Sequence, residues 1–352
     1  MGLEIVELKS LEDCEAAAWD DLVARSPGAT IFQSHGWMRA WWRSQSTNAW
    51  SMHLVAAYRN RVLVGLGPFF SEGDASPAAV RLIGEGHADY QGLIVENNEP
   101  ATVAAILERL LALTQRSANI HFDELPVDSP LERWLRTSSA DQSLTFVRTG
   151  LTPCPRLRLR DRTQEVQRLL SKKSLRRHRS ALERAGRVEI RHETRAEAIR
   201  PYLPLFFEQH VRRWSPTAFP SLFRKPENRD FYCGLLDELC PRGRIVFSVL
   251  RVDDRPIAFH FGLVSNSSLL WYKPAFDVDW ARCSPGEVLL GFLIEYAVAN
   301  DYEMLDFTRG DEKFKSRFGS EIASNHSYVR YGSRLAALEH HARGAVRKLI
   351  RF

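Results

Sequence analysis

The chain has 352 residues, 44% of them hydrophobic and 26% charged, and a formal net charge of +5. That is the composition of a folded protein with room for two domains of ordinary size, and it excludes a disordered or fibrous chain. The apolar runs fall short of the roughly 18 residues a membrane span needs. Five cysteines without a CxxC pair suggest neither a disulfide framework nor a zinc site, so no metal is expected and the cytoplasm is the default compartment.

The opening "MGLEIVELKS" alternates apolar and polar residues and carries Glu4, which reads as a strand and not as a signal peptide. "HGWMRAWW" then places Trp37 and Trp41 one helical turn apart, the spacing of aromatic side chains in a core. Residues 53–70, "HLVAAYRNRVLVGLGPFF", hold two β-rich runs around a polar turn at Arg59–Asn60. "GHADYQG" offers Asp89 and Tyr90 in a turn, as candidates to face a cleft. An amphipathic helix follows in "TVAAILERLLALTQ", with Val103, Ile106, Leu107, Leu110 and Leu113 on one face, and then a strand in "NIHFDELP".

Past "TGLTPCPRL", near residue 150, the chain becomes basic. Between Arg156 and Glu193 there are 13 Lys/Arg against 5 Asp/Glu, a surplus of 8 that exceeds the whole chain's, so the remainder is slightly acidic. "KKSLRRHRSALERAG" reads as a helix ended by Gly186, with Leu175, Leu182 and Ala185 as its apolar positions. Its charged face is either solvated or a surface for an anionic partner. The absence of aromatic residues between Ser171 and Arg191 argues against nucleic acid.

In "LFFEQHVRRW", His210 lies four residues after Phe206 and four before Trp214 on an expected helix, as a packed histidine or a proton acceptor. Arg213 and Trp214 either clamp an acceptor or cover a groove edge. Residues 245–264 form a second hairpin pattern around Asp253–Asp254. Within it, His260 turns away from Phe259 and Phe261, towards a cleft if those two fill the core. Tyr272, in "WYKPAFD", is a candidate proton donor.

"SPGEVLLGFLIEYA" opens a buried helix. Ser284 is placed to cap it, Pro285 suits the first helical position, and Gly286 permits close approach of a ligand. Unpaired N–H groups and a partial positive charge make such a tip suitable for a phosphate, although Glu287 opposes one unless it points away. The alternative is a plain capped helix. In "LDFTRGDEKFK", Leu305 and Phe307 share one strand face and Asp306 takes the other. Gly310 ends the strand, leaving Asp311, Glu312 and Lys315 near the carboxyl end of a sheet, where open α/β folds bind ligands. There a carboxylate can orient or deprotonate an amine and a lysine can stabilise an oxyanion; the alternative is a solvated turn with a Glu312–Lys315 ion pair.

Hairpin, strand, helix and strand thus recur, with similar spans from turn to aspartate: 63 residues from Asn60 to Asp123 and 52 from Asp254 to Asp306. The repeated order predicts an α/β chain of two like halves, each a mixed sheet with a crossover helix. The expected domains are 1–150 and 151–333, with a basic helical tail at 334–352. That tail, "HHARGAVRKLIRF", is short and amphipathic, suited to packing on the protein surface or to weak membrane-surface contact.

In their order and spacing, "FQSHGWMRAWW", "GEGHADYQGLIV", "LRRHRSALERAG", "EQHVRRW", "RPIAFHFG", "WYKPAFD", "SPGEVLL" and "LDFTRGDEKFKSRF" resemble the CelD/BcsL group of acetyltransferase-like proteins. That group is associated with cellulose and other exopolysaccharide synthesis and belongs to the GNAT superfamily, close to the FemAB-type aminoacyltransferases. The resemblance implies two tandem GNAT-like domains, each a mixed, mostly antiparallel sheet flanked by helices. It implies acetyl-coenzyme A or another acyl-coenzyme A as co-substrate, and transfer to a sugar, amine or cell-envelope precursor by direct attack on the thioester. Under it, Asp306, Lys315, His210, Glu312 and Tyr272 become the catalytic candidates. Ser284, Pro285, Gly286, Glu287 and His260 become the cofactor-binding ones, and Arg213, Trp214, Asp89 and Tyr90 the substrate-binding ones. One departure is plain: GNAT enzymes wrap the pyrophosphate in a Q/R-x-x-G-x-G/A loop, whereas "ARCSPGEV" offers one glycine. Transfer from aminoacyl-tRNA, and a non-catalytic accessory role in polysaccharide synthesis, are the alternatives.

Overall fold

The computed structural model describes residues 2–73, 79–114, 117–137 and 146–332. The basic tail expected at 334–352 lies outside the described residues. The described residues divide into two units, one made of those within 2–38, 46–152 and 324–332, the other of residues 39–45 and 153–323.

In chain order the elements begin with β1 (Glu4–Leu8), α1 (Ala16–Arg25), α2 (His35–Gln45), β2 (Trp50–Arg59) and β3 (Val62–Glu72). Next come β4 (Ala79–Leu82), β5 (Ile94–Val95), α3 (Pro100–Leu113), β6 (Asn119–Pro126), α4 (Pro130–Thr137) and β7 (Val147–Arg158). There follow α5 (Thr163–Leu170), α6 (Lys173–Ala185), β8 (Val188–Glu193), α7 (Ala196–Ile199), α8 (Leu203–Trp214) and α9 (Pro226–Leu239). The last are β9 (Ile245–Val252), β10 (Arg255–Ser265), β11 (Ser268–Phe276), α10 (Pro285–Ala299), β12 (Met304–Asp306), α11 (Lys313–Phe318) and β13 (Glu321–Arg330).

In the first unit the strands run β1-β2-β3-β4-β6-β13, with β5 on β3; in the second they run β7-β12-β11-β10-β9-β8. Neighbours are mostly antiparallel, and the parallel steps are β4 with β6 and β11 with β12. Each parallel step needs a crossover helix, α3 in the first unit and α10 in the second. The mixed, mostly antiparallel sheet flanked by helices is therefore as expected. The first hairpin turns at Asn60 and Arg61, both with positive φ, one residue later than the sequence suggests. Trp37 and Trp41 are buried.

The two parallel steps share a second property: both are short. In the first unit only Ala79 with Asn119 and Val80 with Ile120 are paired. Beyond them the space is taken by the chain itself. The Gln91 N–H donates to the Glu124 carbonyl at 2.8 Å, Asn325 Nδ2 to the Asp89 carbonyl at 2.8 Å, and Gln33 Nε2 to the Tyr90 carbonyl at 2.6 Å. Asp89 and Tyr90 are buried core residues of this unit. The sequence places them in a turn facing a cleft; in the structure both are buried, with their carbonyls held by side-chain amides.

In the second unit β11 and β12 pair only from Ser268–Met304 to Leu270–Asp306. The cause is Asp306. Its Oδ1 accepts the Thr308 N–H at 2.7 Å, a side-chain-to-backbone turn that takes the chain off the strand line. Thr308 accordingly has φ +57°, and Gly310 follows at φ +127°. The other carboxylate oxygen is held at 3.1 Å by Nε of Arg156, its register partner on β7. Leu305 and Phe307, on the opposite face, enter the core under α10.

Asp306→Ala removes both contacts and leaves a buried amide without its acceptor. Stability should fall by about 1–3 kcal/mol, with Asp306→Asn, which keeps an acceptor for Thr308, costing less. Urea unfolding of the two variants checks this ordering; equal losses would assign the effect to the charge alone.

Candidate active site

Where β11 and β12 part, residues 273–276 of β11 remain in register with β10 on one edge, past an irregularity at 271–272, and residues 271–276 have no partner on the other edge among the described strands. Pro274, which has no N–H to offer a ladder, sits on this stretch. The opening is a pocket of ≈ 220 Å³. Trp271, Pro274 and Phe276 form its β11 wall, Phe314 and Phe318 of α11 face them, and the start of α10 closes one end.

The tip of α10 differs from the expected capped terminus. Ser284 adopts the left-handed conformation (φ +48°) and its side chain makes no capping bond. Its carbonyl instead accepts the N–H groups of Glu287 at 3.0 Å and Val288 at 3.3 Å. Pro285 has no N–H, so the Gly286 amide is the one in the first turn left for a ligand. Gly286 has no backbone need to be glycine: an added Cβ would meet Phe276 at an ordinary 3.5 Å. The space it leaves opens on the pocket.

Glu287 lines the pocket with its side chain only 12% exposed. One carboxylate oxygen lies 3.3 Å from the Arg317 guanidinium and 3.4 Å from His178 Nδ1, and the other accepts from Ser174 Oγ at 3.3 Å. Three helices thus converge on one carboxylate at the rim. The basic helix α6 contributes two of these partners, and its Leu175 packs against Gly291 of α10, where a Cβ would come within 3.1 Å. Lys173, Arg176, Arg177 and Arg184 of the same helix are exposed.

Arg213 reaches the pocket from α8. Its guanidinium lies 4.5 Å from the Phe276 ring and 5.3 Å from that of Trp214, and donates to the Pro274 carbonyl at 3.3 Å. It forms no ion pair among the described residues. Burial holds its pKa below the ordinary guanidinium value, with the charge of Glu312 opposing. A cation using one of its five donors beside aromatic walls is equipped to take an anionic group.

His210 is buried one turn earlier, with Nδ1 2.8 Å from Ser221 Oγ and its ring near Phe223 and Trp214. Burial first, and then the charges of Lys273 and Arg213, push its pKa down to about 3. It is neutral at physiological pH and a weak proton acceptor. Hydrogen bonding and packing suit it better than the base role expected from its position.

Other candidates are used internally. The Lys315 ammonium is buried, donates to the Arg309 carbonyl and pairs with Glu312 at 2.9 Å. A Cβ at Gly310 would collide with both side chains, at 2.8 and 2.2 Å, so the glycine lets this clamp close over the turn. Asp306 is the strand-ending residue described above. These three stabilise the loop that shapes the pocket, and none of them lines it. Tyr272 stacks on Tyr232 of α9 at 6.0 Å, whereas Trp271 belongs to the core under α10, so the two lie on opposite sheet faces. His260 is fully buried, stacked at 4.6 Å and 12° on Trp271, and stands behind the pocket wall, not in it. Desolvation, with a smaller push from His192, lowers its pKa to about 3. Neither ring lines this opening, where a role at the reaction centre would place it.

Residues 171–316 match the family model described as an acetyltransferase (GNAT) domain. The match spans α6, the diverging strands and the α10 tip, and stops one residue before Arg317. No curated protein sequence matches the chain. Among solved structures, FemX aligns over 93% of this chain and 97% of its own, at 12% identity and a TM-score of 0.65. The C-terminal domain of a putative lysylphosphatidylglycerol synthetase from Agrobacterium fabrum aligns over 96% of each chain, at 12% identity and 0.59. A tandem GNAT protein from the clavulanic acid biosynthesis pathway aligns over 94% and 99%, at 12% identity and 0.53. These likenesses are of fold.

Of the residues that line this pocket, sequence reasoning singled out the α10 tip and Arg213 and passed over Trp271, Phe276, Phe314 and Arg317. Pro274 was the available signal, since a proline inside a strand pattern marks an edge without a partner. Glu287→Gln removes a negative charge from the rim and releases Arg317. It should tighten binding of inorganic diphosphate or coenzyme A by roughly tenfold, and Arg317→Ala should weaken it comparably. Isothermal titration measures both; equal affinities in the two variants would remove phosphate recognition from this rim.

Proposed function

We propose that the protein is an acyl-coenzyme A-dependent acyltransferase, with acetyl-coenzyme A or another acyl thioester as donor. We further propose that it acts on an amine or hydroxyl of a sugar or cell-envelope precursor, as the CelD/BcsL resemblance suggests. The observation that carries this reading is the opening between β11 and β12, lined by apolar rings and ended by the α10 tip, inside the matched GNAT domain. The residues fit such a donor in three respects: an unpaired strand edge, the Gly286 amide with space beside it, and two arginines on the walls.

A bound thioester supplies an acyl carbon activated towards an amine or hydroxyl. The protein contributes position and electrostatics. The acceptor's attack forms the new C–N or C–O bond, the C–S bond breaks, and the acceptor's proton ends on the departing thiolate or solvent. With His210 neutral and Asp306 and Lys315 engaged internally, acceleration rests chiefly on holding the reactants together, with hydrogen bonds at the developing oxyanion. Arg213 is the anchor for an anionic group of a substrate. Asp306 acts as a positioning residue.

Glu287 at the rim, with the exposed cations of α6 beside it, favours one competitor: an aminoacyl-tRNA donor, whose backbone the helix would hold while the rim avoids a diphosphate. Calorimetric titration with coenzyme A, acetyl-coenzyme A and unfractionated tRNA separates the readings. Micromolar coenzyme A binding with weak, salt-insensitive tRNA binding is expected. Tight tRNA binding that collapses as salt rises, with no coenzyme A binding, would establish the competitor; binding of neither would point to a non-catalytic accessory protein. Once the donor is known, a donor-saturated screen of sugars and amines identifies the acceptor.

A further inference from the structure

Trp271 is the first residue of β11 past the last register pair with β12, so its side chain stands where the two strands begin to part. It is 4% exposed and lines the pocket. Its ring lies 6.3 Å from Phe314, which lies 6.3 Å from Phe307, the residue that follows β12. Trp271 and Phe314 line the opening, with Phe307 behind Phe314.

The indole is backed as well as flanked. His260 of β10 is stacked on its other side, nearly parallel. The imidazole has nowhere to retreat, since Gly262 already yields its Cβ position: a methyl there would lie 2.5 Å from the His260 ring. A planar group clamped between an apolar pocket and a fully buried ring is a fixed end-stop, because close-packed interiors do not give way by a methylene without cost.

We propose that Trp271, held in place by His260, sets the length of acyl group the enzyme accepts, restricting it to short chains. The proposal rests on the acyl-coenzyme A reading above. Apolar burial favours each added methylene by about fourfold in affinity until the chain meets an obstacle. Trp271 is that obstacle, and replacing it by a small side chain extends the pocket towards His260.

The test is calorimetric titration of the full-length wild type, Trp271→Ala and Trp271→Leu with coenzyme A and its acetyl, butyryl, hexanoyl and octanoyl thioesters. The readout is each thioester's affinity relative to coenzyme A in the same protein. In the wild type that ratio should rise to acetyl or butyryl and then stop rising or fall. In the variants it should continue to rise, reaching at least tenfold above the wild-type ratio for octanoyl. Trp271→Leu, the milder change, keeps the comparison available if the alanine variant does not fold. A ratio that climbs steadily to octanoyl in the wild type, or the same profile in all three proteins, would overturn the proposal. Absence of coenzyme A binding in every protein would overturn the acyl-coenzyme A reading together with it, a result distinct from an unchanged profile with coenzyme A still bound.

Discussion

One carboxylate decides whether the second unit has a pocket. Two parallel strands with a crossover helix between them would pair along their whole length if nothing intervened, because every unpaired backbone group in the interior is costly. Asp306 intervenes by accepting the Thr308 amide and by its ion pair with Arg156, so that β12 stops while β11 continues for six residues. The exposed edge that results is a liability in most sheets. Here the start of α10 and the rings of α11 wall it into an enclosure, and the edge becomes a binding surface. The first unit shows the other outcome: the same hairpin, strand, helix and strand, but with the divergence occupied by residues 83–93 and their hydrogen bonds.

Charge follows from this geometry. At the rim, Glu287 sits among Arg317, His178 and Ser174, so the negative group that opposes a phosphate also holds the groups that would bind one. Arg213 lies beside two aromatic rings and forms no ion pair among the described residues, and burial first, then the charges of Lys273 and Arg213, keep His210 uncharged. An anionic substrate group entering beside Arg213 would relieve that imbalance. The arrangement suits catalysis by positioning and by fixed dipoles more than by a strong base.

Much of the fold was legible in the sequence, because it rests on local pattern. The stretch "NIHFDELP" is β6 from end to end, although its alternation breaks at Glu124, whose φ is +52°; the apolar face of "TVAAILERLLALTQ" is the buried face of α3, and Leu305 and Phe307 enter the core as their parity requires. The site was legible only in outline. Asp306 looked free for chemistry because its partner Arg156 lies 150 residues earlier. Lys315 looked like an oxyanion donor because nothing in "RGDEKFK" shows that its side chain folds back on the Arg309 carbonyl. Ser284 looked like a cap, but a left-handed backbone turns its hydroxyl away from that use. Each of these depends on tertiary contacts or on a single φ angle, and neither is encoded in spacing.

The most direct measurement of the central claim is hydrogen exchange, read by mass spectrometry, with and without saturating acetyl-coenzyme A. If the parted strands hold the donor, amides 271–276 and 284–290 should slow together, while those of residues 79–95, where the matching divergence is filled, should not change. Protection confined to other segments, with 271–276 exchanging as before, would contradict it.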